Sequence, residues 1–461
     1  MVIAKNPILS GLYPDPSICR VGNDFYIVNS SFVYAPGVPI FHSRDLAHWE
    51  QIGNILESKE QLQVEKSEIS RGIFAPTIRY HEGLFYMITT NVSYGGNFIV
   101  TAKNPEGPWS EPYYLGEEAI GIDPSLFFDD DGRCYYCGTR PNPEGVRYNG
   151  DWEIWVQELD LKSMKLVGES MAIWKGAVKG VIWPEGPHLY KIDGYYYLMT
   201  AEGGTGYHHA VTVARSRNID GPFEVAPDTP MLTSRYFPTH ELQKAGHGSM
   251  VETPDHQWYL AHLCSRPVGQ ERRCILGRET AIQKVKWVED WPVLEDGTCL
   301  PQMEVAAPMA GNQKNNTEEG KVRDGVEAKE IDMSGPWFYE DFDGDTWSLH
   351  LQSLRIPLDD RASLTDRPGW LRLYGAESLN SHFTQSLLGC GQQSFYMEAE
   401  TKVEFQPENF KQMAGLAYYY NTQCYYYLHI TWDDQFGRIL SIIKNDLGKG
   451  SYPIGMGVSI P

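Results

Sequence analysis

Three things are scarce in this chain of 461 residues. The first is basic charge: 39 Lys and Arg face 60 Asp and Glu, for a formal net charge of −21. A chain this acidic repels phosphate backbones and anionic lipid surfaces, which excludes nucleic acid and membranes as expected partners. A neutral substrate is untouched by that argument. The second is long apolar runs, none of which approaches the roughly 18 residues needed to cross a bilayer. The Met1-Val2-Ile3-Ala4-Lys5-Asn6-Pro7 start lacks a charged stretch followed by an apolar one, so no signal peptide is expected. The third is cysteine, with eight scattered copies. Cys134 and Cys137 form the one close pair. No second pair or His stands at zinc-ligand spacing, so both read as ordinary strand residues and no metal ligands are assigned. Reduced thiols and the missing signal peptide make the cytoplasm the expected compartment.

Aromatic residues are plentiful, at 13 % with 28 Tyr and 13 Trp. They carry a repeat: a turn, then a strand reaching Tyr. It occurs as Gly22-Asn23-Asp24-Phe25-Tyr26, Glu82-Gly83-Leu84-Phe85-Tyr86, Asp131-Gly132-Arg133-Cys134-Tyr135, Asp193-Gly194-Tyr195-Tyr196-Tyr197 and Asp255-His256-Gln257-Trp258-Tyr259. The aligned tyrosines are 60, 49, 62 and 62 residues apart. Each turn lies between short apolar runs, as in a hairpin. Turn-and-aromatic segments such as Ser43–Trp49, Asn104–Trp109 and Asn218–Phe223 mark the outer part of a unit. A unit of about 50–60 residues with about four strands is a propeller blade, and five copies predict a five-bladed β-propeller. A β-sandwich with coincidental hairpins is the competing reading, but it does not demand near-equal spacing. Amphipathic helices are scarce, which supports an all-β chain.

The texture changes near Pro301. Residues 1–303 are assigned to the propeller and 304–335 to a linker or long loop, because Met309 to Glu330 is polar and lacks strand alternation. Residues 336–461 read as a second all-β domain, a β-sandwich. Its strand candidates are Trp370–Tyr374, Gln393–Glu400, Ala414–Tyr420 and Cys424–Ile430. The chain ends at Ser459-Ile460-Pro461 without obvious strand closure, so this domain is expected to be incomplete.

Acidic residues fall on the repeat. Asp15 precedes its tyrosine by 11 residues, and Asp123 and Glu185 precede theirs by 12. Phe74 and His247 hold the matching place in the second and fifth units. Equivalent positions on the innermost strands are related by rotation about the propeller axis. The five residues are therefore expected to ring one end of the channel. Each acid stands beside Pro, in Tyr13-Pro14-Asp15-Pro16-Ser17, Ile122-Asp123-Pro124-Ser125 and Trp183-Pro184-Glu185-Gly186-Pro187. Proline fixes the backbone and removes a donor, which suits a rigid strand entry.

Two carboxylates across a narrow channel are the working parts of glycoside hydrolysis: one protonates the leaving oxygen, the other acts as base or nucleophile. A third carboxylate keeps the acid protonated by like-charge repulsion. Glu has the longer reach, so Glu185 is the expected acid. The residues leave the division of roles between Asp15 and Asp123 open.

These motifs closely resemble glycoside hydrolase family 43, in its β-xylosidase/α-L-arabinofuranosidase branch, over nearly the whole chain. The resemblance rests on Asn6–Ile18, Phe25–Phe32, Pro36–Ile40, Gly72–Tyr80, Gly186–Tyr190, Gly246-His247-Gly248 and Leu276-Gly277-Arg278-Glu279-Thr280. It implies a five-bladed propeller followed by a sandwich, and an inverting mechanism. Asp15 would be the base, Glu185 the acid and Asp123 the modulator. Arg278, Phe32, Phe74 and His247 would bind substrate. Many relatives carry Trp where this chain has Phe74, and the family's sandwich usually extends further and supplies a pocket-closing aromatic loop. In some relatives a divalent ion, often calcium, lies near the channel His; one His is no metal site by itself, so Ca2+ near His247 is left open. No cofactor is required, because water is the nucleophile.

The expected activity is removal of terminal D-xylose from short β-1,4-xylo-oligosaccharides, with α-L-arabinofuranosidase side activity. The alternatives are a primary arabinofuranosidase acting on arabinan or side chains, and a non-catalytic sugar-binding propeller. A WD-type scaffold is disfavoured, since no Gly-His…Trp-Asp repeat is present. A homo-oligomer is left open.

Overall fold

The computed structural model describes residues 2–178, 180–309, 338–381, 383–455 and 457–460. Five antiparallel sheets follow one another in sequence, each built outward from its first strand. The first strands are Ser17–Val21, Ile73–His81, Ile122–Phe128, Glu185–Ile192 and Gln243–Glu252, in blades one to five. Each blade continues through hairpins to an outer strand, ending at Glu50–Leu56, Tyr113–Tyr114, Lys165–Trp174, Glu224–Val225 and Trp291–Leu294. The repeated turns make the inner hairpins as expected. Glu82-Gly83 and Asp193-Gly194 take positive φ at both residues, the twist that two-residue hairpins need.

The first strands touch in ring order, and the fifth touches the first. A strand at the axis has a free edge whose N–H groups need partners. Side chains from neighbouring blades supply them. Ile78 N donates to Ser17 Oγ at 3.2 Å, Ile18 N to Ser249 Oγ at 3.3 Å, and Met250 N to Tyr190 Oη at 2.7 Å. The cores lie between blades, where aliphatic and aromatic residues of adjacent sheets interlock. Cys134 and Cys137 pack into two different cores, so they face apart and cannot share an ion.

The propeller boundary differs from the sequence reading. Glu304–Ala307, assigned above to the linker, is a strand paired with Val2–Lys5. Asn6 fastens this closure, donating to Ile282 O and Gln302 O at 2.7 Å each and accepting from Ile282 N at 2.8 Å. Most of the proposed linker, residues 310–335, lies outside the described residues.

In the second domain Ala414–Asn421, Cys424–Asp433, Gly437–Asp446 and Lys449–Ser451 form one antiparallel sheet, with Val458–Ser459 added to the third strand. Two other expected strands are corrected. Within Trp370–Tyr374 only Arg372–Leu373 pairs, with Ala362–Ser363. Gln393–Glu400 forms no strand among the described residues, because its start is spent on docking to the propeller. Ser10 Oγ donates to Gln393 O, Gln393 Nε2 to Tyr13 Oη, and the Arg266 guanidinium stacks over the Phe395 ring. A second junction pairs Ser353 and Leu354 with Ala35 and Tyr34.

Candidate active site

The inner strands of blades two to five break register near one end of the channel. There two inner-strand residues oppose one on the neighbouring strand, which is a bulge and re-aims side chains. Pairing fixes which residues correspond. Ser17, Thr77, Ser125, His188 and Ser249 each pair with the residue two beyond the repeated Tyr. Two positions upstream stand Asp15, Ala75, Asp123, Gly186 and His247. Four of these hold positive φ: 55° at Asp15, 53° at Asp123, 56° at Gly186 and 47° at His247. That strain costs a side-chain-bearing residue about 1–2 kcal/mol, and Asp tolerates it better than most.

The single shared position expected from the sequence is thus corrected. Asp15, Asp123 and His247 occupy it. Glu185 and Phe74 stand one residue upstream, at the place Pro14, Ile122 and Gly246 hold in the other blades. The hairpin turns explain the difference. Blades three and five have longer inner turns, which add one residue between the bulge and the Tyr.

The seven predicted residues nevertheless converge. Arg278 Nη1 donates to Asp15 Oδ1 at 3.0 Å, and Ser30 Oγ donates to Asp15 Oδ2 at 2.7 Å. The Arg278 guanidinium lies 5.0 Å from the centre of the Phe32 ring. Phe32 meets Phe74 edge to face at 5.5 Å. Gly186 N donates to Asp123 Oδ2 at 3.1 Å. The His247 ring packs against Gly186, where an added Cβ would come within 2.8 Å of it. The Glu185 carboxyl accepts no hydrogen bond among the described residues, and its side chain is half-buried.

Electrostatics separates the three acids. Burial works to raise the Asp15 carboxyl, but Arg278, His247, Ser30 and His209 outweigh it, so it lies below the usual carboxylate range. Burial pushes Asp123 up, and the Asp15 charge adds to this against His247. Burial, then Asp123, then Asp15 hold Glu185 well above its ordinary value. The surroundings therefore favour the ionised form of Asp15 and oppose ionisation of Glu185.

Several contributors were not singled out in the sequence. Ser30 lies four residues beyond Tyr26, opposite Pro14, so strand pairing would have found it. Asn29 clamps the approach to Asp15, its Nδ2 donating to Tyr13 O and Pro14 O at 3.0 Å each. Beside Arg278, the buried Glu279 takes a two-armed bond from Arg266 at 2.7 and 2.9 Å. Breaking a buried pair leaves a charge uncompensated. Glu279→Ala is expected to destabilise the chain by about 3–5 kcal/mol in chemical denaturation. His209, fully buried, lends Nδ1 to Lys244 O at 3.0 Å, and its ring fills the space beside Gly246. An open depression of about 540 Å³ starts at Phe74 and Ile122 and runs past Asn91, Tyr94 and Trp152.

Residues 4–292 match Glycosyl hydrolases family 43, and residues 339–459 match the Beta xylosidase C-terminal Concanavalin A-like domain. The chain belongs to glycosyl hydrolase family 43. It is a glycosidase built as a five-bladed β-propeller followed by a β-sandwich. A xylosidase/arabinosidase of Butyrivibrio fibrisolvens is 53 % identical, over 92 % of this chain and 79 % of that protein. A beta-xylosidase of Bacillus subtilis is 41 % identical, over 99 % of this chain and 84 % of that one. The crystal structure of a xylan beta-1,4-xylosidase from Bacillus halodurans superposes with a TM-score of 0.88 at 46 % identity, covering 99 % of this chain and 85 % of that one.

Within this family-43 site, the Arg278 contact sets an expectation for pH dependence. An adjacent guanidinium favours the charged form of a carboxyl. Without it the Asp15 pKa rises, so ionised Asp15 is lost at a higher pH. Arg278→Met is expected to move the acidic limb of the kcat/KM profile upward by about one pH unit or more. A profile with an unmoved acidic limb would show that Arg278 does not tune the group responsible.

Proposed function

We propose that the enzyme removes single D-xylose residues from the non-reducing ends of short β-1,4-xylo-oligosaccharides with inversion. Asp15 deprotonates the attacking water, Glu185 protonates the leaving oxygen, and Asp123 keeps Glu185 protonated. The observation that carries this reading is the opposed electrostatics of Asp15 and Glu185 at one channel mouth. A base must be ionised and an acid protonated at the same pH, and environments that push two carboxyls apart provide that. Arg278 supports Asp15 as the base, because it stabilises the charge the base must carry.

In the reaction, Asp15 takes one proton from water as its oxygen bonds to the anomeric carbon. The glycosidic bond breaks, and Glu185 gives its proton to the departing oxygen. Phe32 and Phe74 supply an apolar wall for a sugar ring. The second domain abuts the rim at Tyr13 and at Tyr34–Ala35, on either side of Asp15 in sequence, which favours a terminal sugar over a long chain. The depression beyond Phe74 gives the leaving part of the substrate room.

α-L-Arabinofuranoside hydrolysis is the second reading, favoured by the double name of the Butyrivibrio relative. The same carboxyls serve either sugar. Initial rates on an aryl β-D-xyloside and an aryl α-L-arabinofuranoside decide between them. The proposal expects the xyloside to be faster; a clear arabinoside preference would reverse the assignment.

A further inference from the structure

We propose that Arg79 is the central cation of the propeller channel and that its bond to His188 leaves no calcium site there. The inference deepens the reading above, since it concerns the floor beneath the same carboxyls.

Arg79 rises from the inner strand of blade two and bridges three blades. Its Nη1 donates to Ile78 O at 2.8 Å in its own blade and to Ser17 Oγ at 3.4 Å in blade one. Its Nη2 lies 2.8 Å from His188 Nδ1 in blade four. The charge is felt by Cys19 and Tyr190 as well, in blades one and four. Among the described residues no carboxylate pairs with it, so it stands in the channel as a net positive charge.

The contact with His188 has a chemical consequence. A guanidinium can only donate, so Nδ1 of His188 accepts and the ring proton resides on Nε2. A neutral imidazole in that state has no free lone pair for a metal. His188 is buried, and burial, then Arg79 and His247, keep its pKa well below the ordinary value, so it remains neutral.

The remaining donors do not make a calcium site. Calcium takes about six to eight oxygens. Asp15 is engaged by Arg278 and Ser30, and Asp123 by Gly186 N. Ser17 Oγ already accepts from Ile78 N and Arg79. His209 directs Nδ1 to a backbone carbonyl. His209 keeps a buried Nε2 without a partner, and His247 makes no such bond, but two imidazole nitrogens do not supply the oxygen shell that calcium needs. Among the described residues no group of three or more His, Cys, Asp or Glu is arranged to hold a metal. Arg79 thus supplies from the protein the positive charge a bound ion would otherwise bring.

The test uses the full chain with Ca2+ alone as titrant. Calorimetry after EDTA dialysis is expected to show no saturable binding tighter than about 1 mM. Rates on an aryl xyloside are expected to stay within about twofold after chelation and on adding Ca2+. Saturable calcium binding that His247→Ala abolishes would overturn the proposal, as would a loss of about tenfold or more on chelation that calcium restores. Nitrogen-15 NMR of the histidines gives a second readout. His188 is expected to show the Nε2–H tautomer, and Arg79→Met to abolish that fixed pattern. An unchanged His188 spectrum in Arg79→Met would also overturn it. Calorimetry and NMR do not depend on which glycoside is cleaved, so failure of the substrate assignment is told apart from failure here.

Discussion

Glu185→Gln loses about 10²–10⁴-fold in kcat on xylobiose, whose leaving group is a poor one, and far less on an aryl xyloside with an acidic phenol. A sugar alkoxide must be protonated as it leaves, whereas an activated phenolate departs unaided. Glutamine preserves the size of the side chain but has no proton to give. The position suits this task. Among the described residues no donor holds the carboxyl, and burial and two neighbouring acids oppose its ionisation more than the Arg278 charge favours it. The same environment sets the alkaline limb of the pH profile, because activity falls as Glu185 loses its proton. That limb should fade on the aryl substrate in the variant. Equal losses on both substrates would remove Glu185 from the acid role.

Asp15→Asn is expected to lose activity on every substrate alike, by about 10³-fold or more, because water attack precedes no leaving-group choice. The amide is nearly isosteric and keeps a bond from Arg278, yet it cannot take a proton. It also removes one of the charges that raise Glu185, so any residual activity should show an alkaline limb moved to lower pH. An external anion such as azide, small enough to stand in for the water, should partly restore cleavage of an activated substrate. A loss confined to poor leaving groups would instead mark Asp15 as the acid.

Much of this arrangement was legible in the chain. The tyrosine repeat located five blades because each inner hairpin must put an aromatic residue at the same place in the packing between sheets. Asp15, Asp123 and His247 were correctly placed in one register. Glu185 and Phe74 were placed one residue out. The sequence interval runs across a turn, and the longer turns of blades three and five absorb a residue that no periodicity reveals. The bulges were equally invisible: Gly186 read as a companion of proline, yet it occupies the position that Asp holds in two other blades. Ser30, Glu279 and Arg79 are not marked by the repeat, because their roles depend on contacts 15, 13 and 109 residues away in sequence. In the second domain, alternation suggested a strand at Gln393–Glu400. Alternation marks an extended chain, but only a partner makes a ladder, and this segment meets the propeller instead.

The proposed division between Asp15 and Asp123, which residue type and spacing leave open, is supported by their neighbours. Arg278 and Ser30 converge on Asp15, while Asp123 receives one backbone N–H and lies beside the acid. Both lie on the same structural position of different blades, so neighbours rather than backbone geometry distinguish them.

The most direct measurement is NMR of the first-formed sugar during hydrolysis of an aryl β-D-xyloside, read before mutarotation. With Asp15 activating water against Glu185 as acid, α-xylose appears first. First appearance of β-xylose would mean that a carboxylate attacks the sugar, and would contradict Asp15 as a general base.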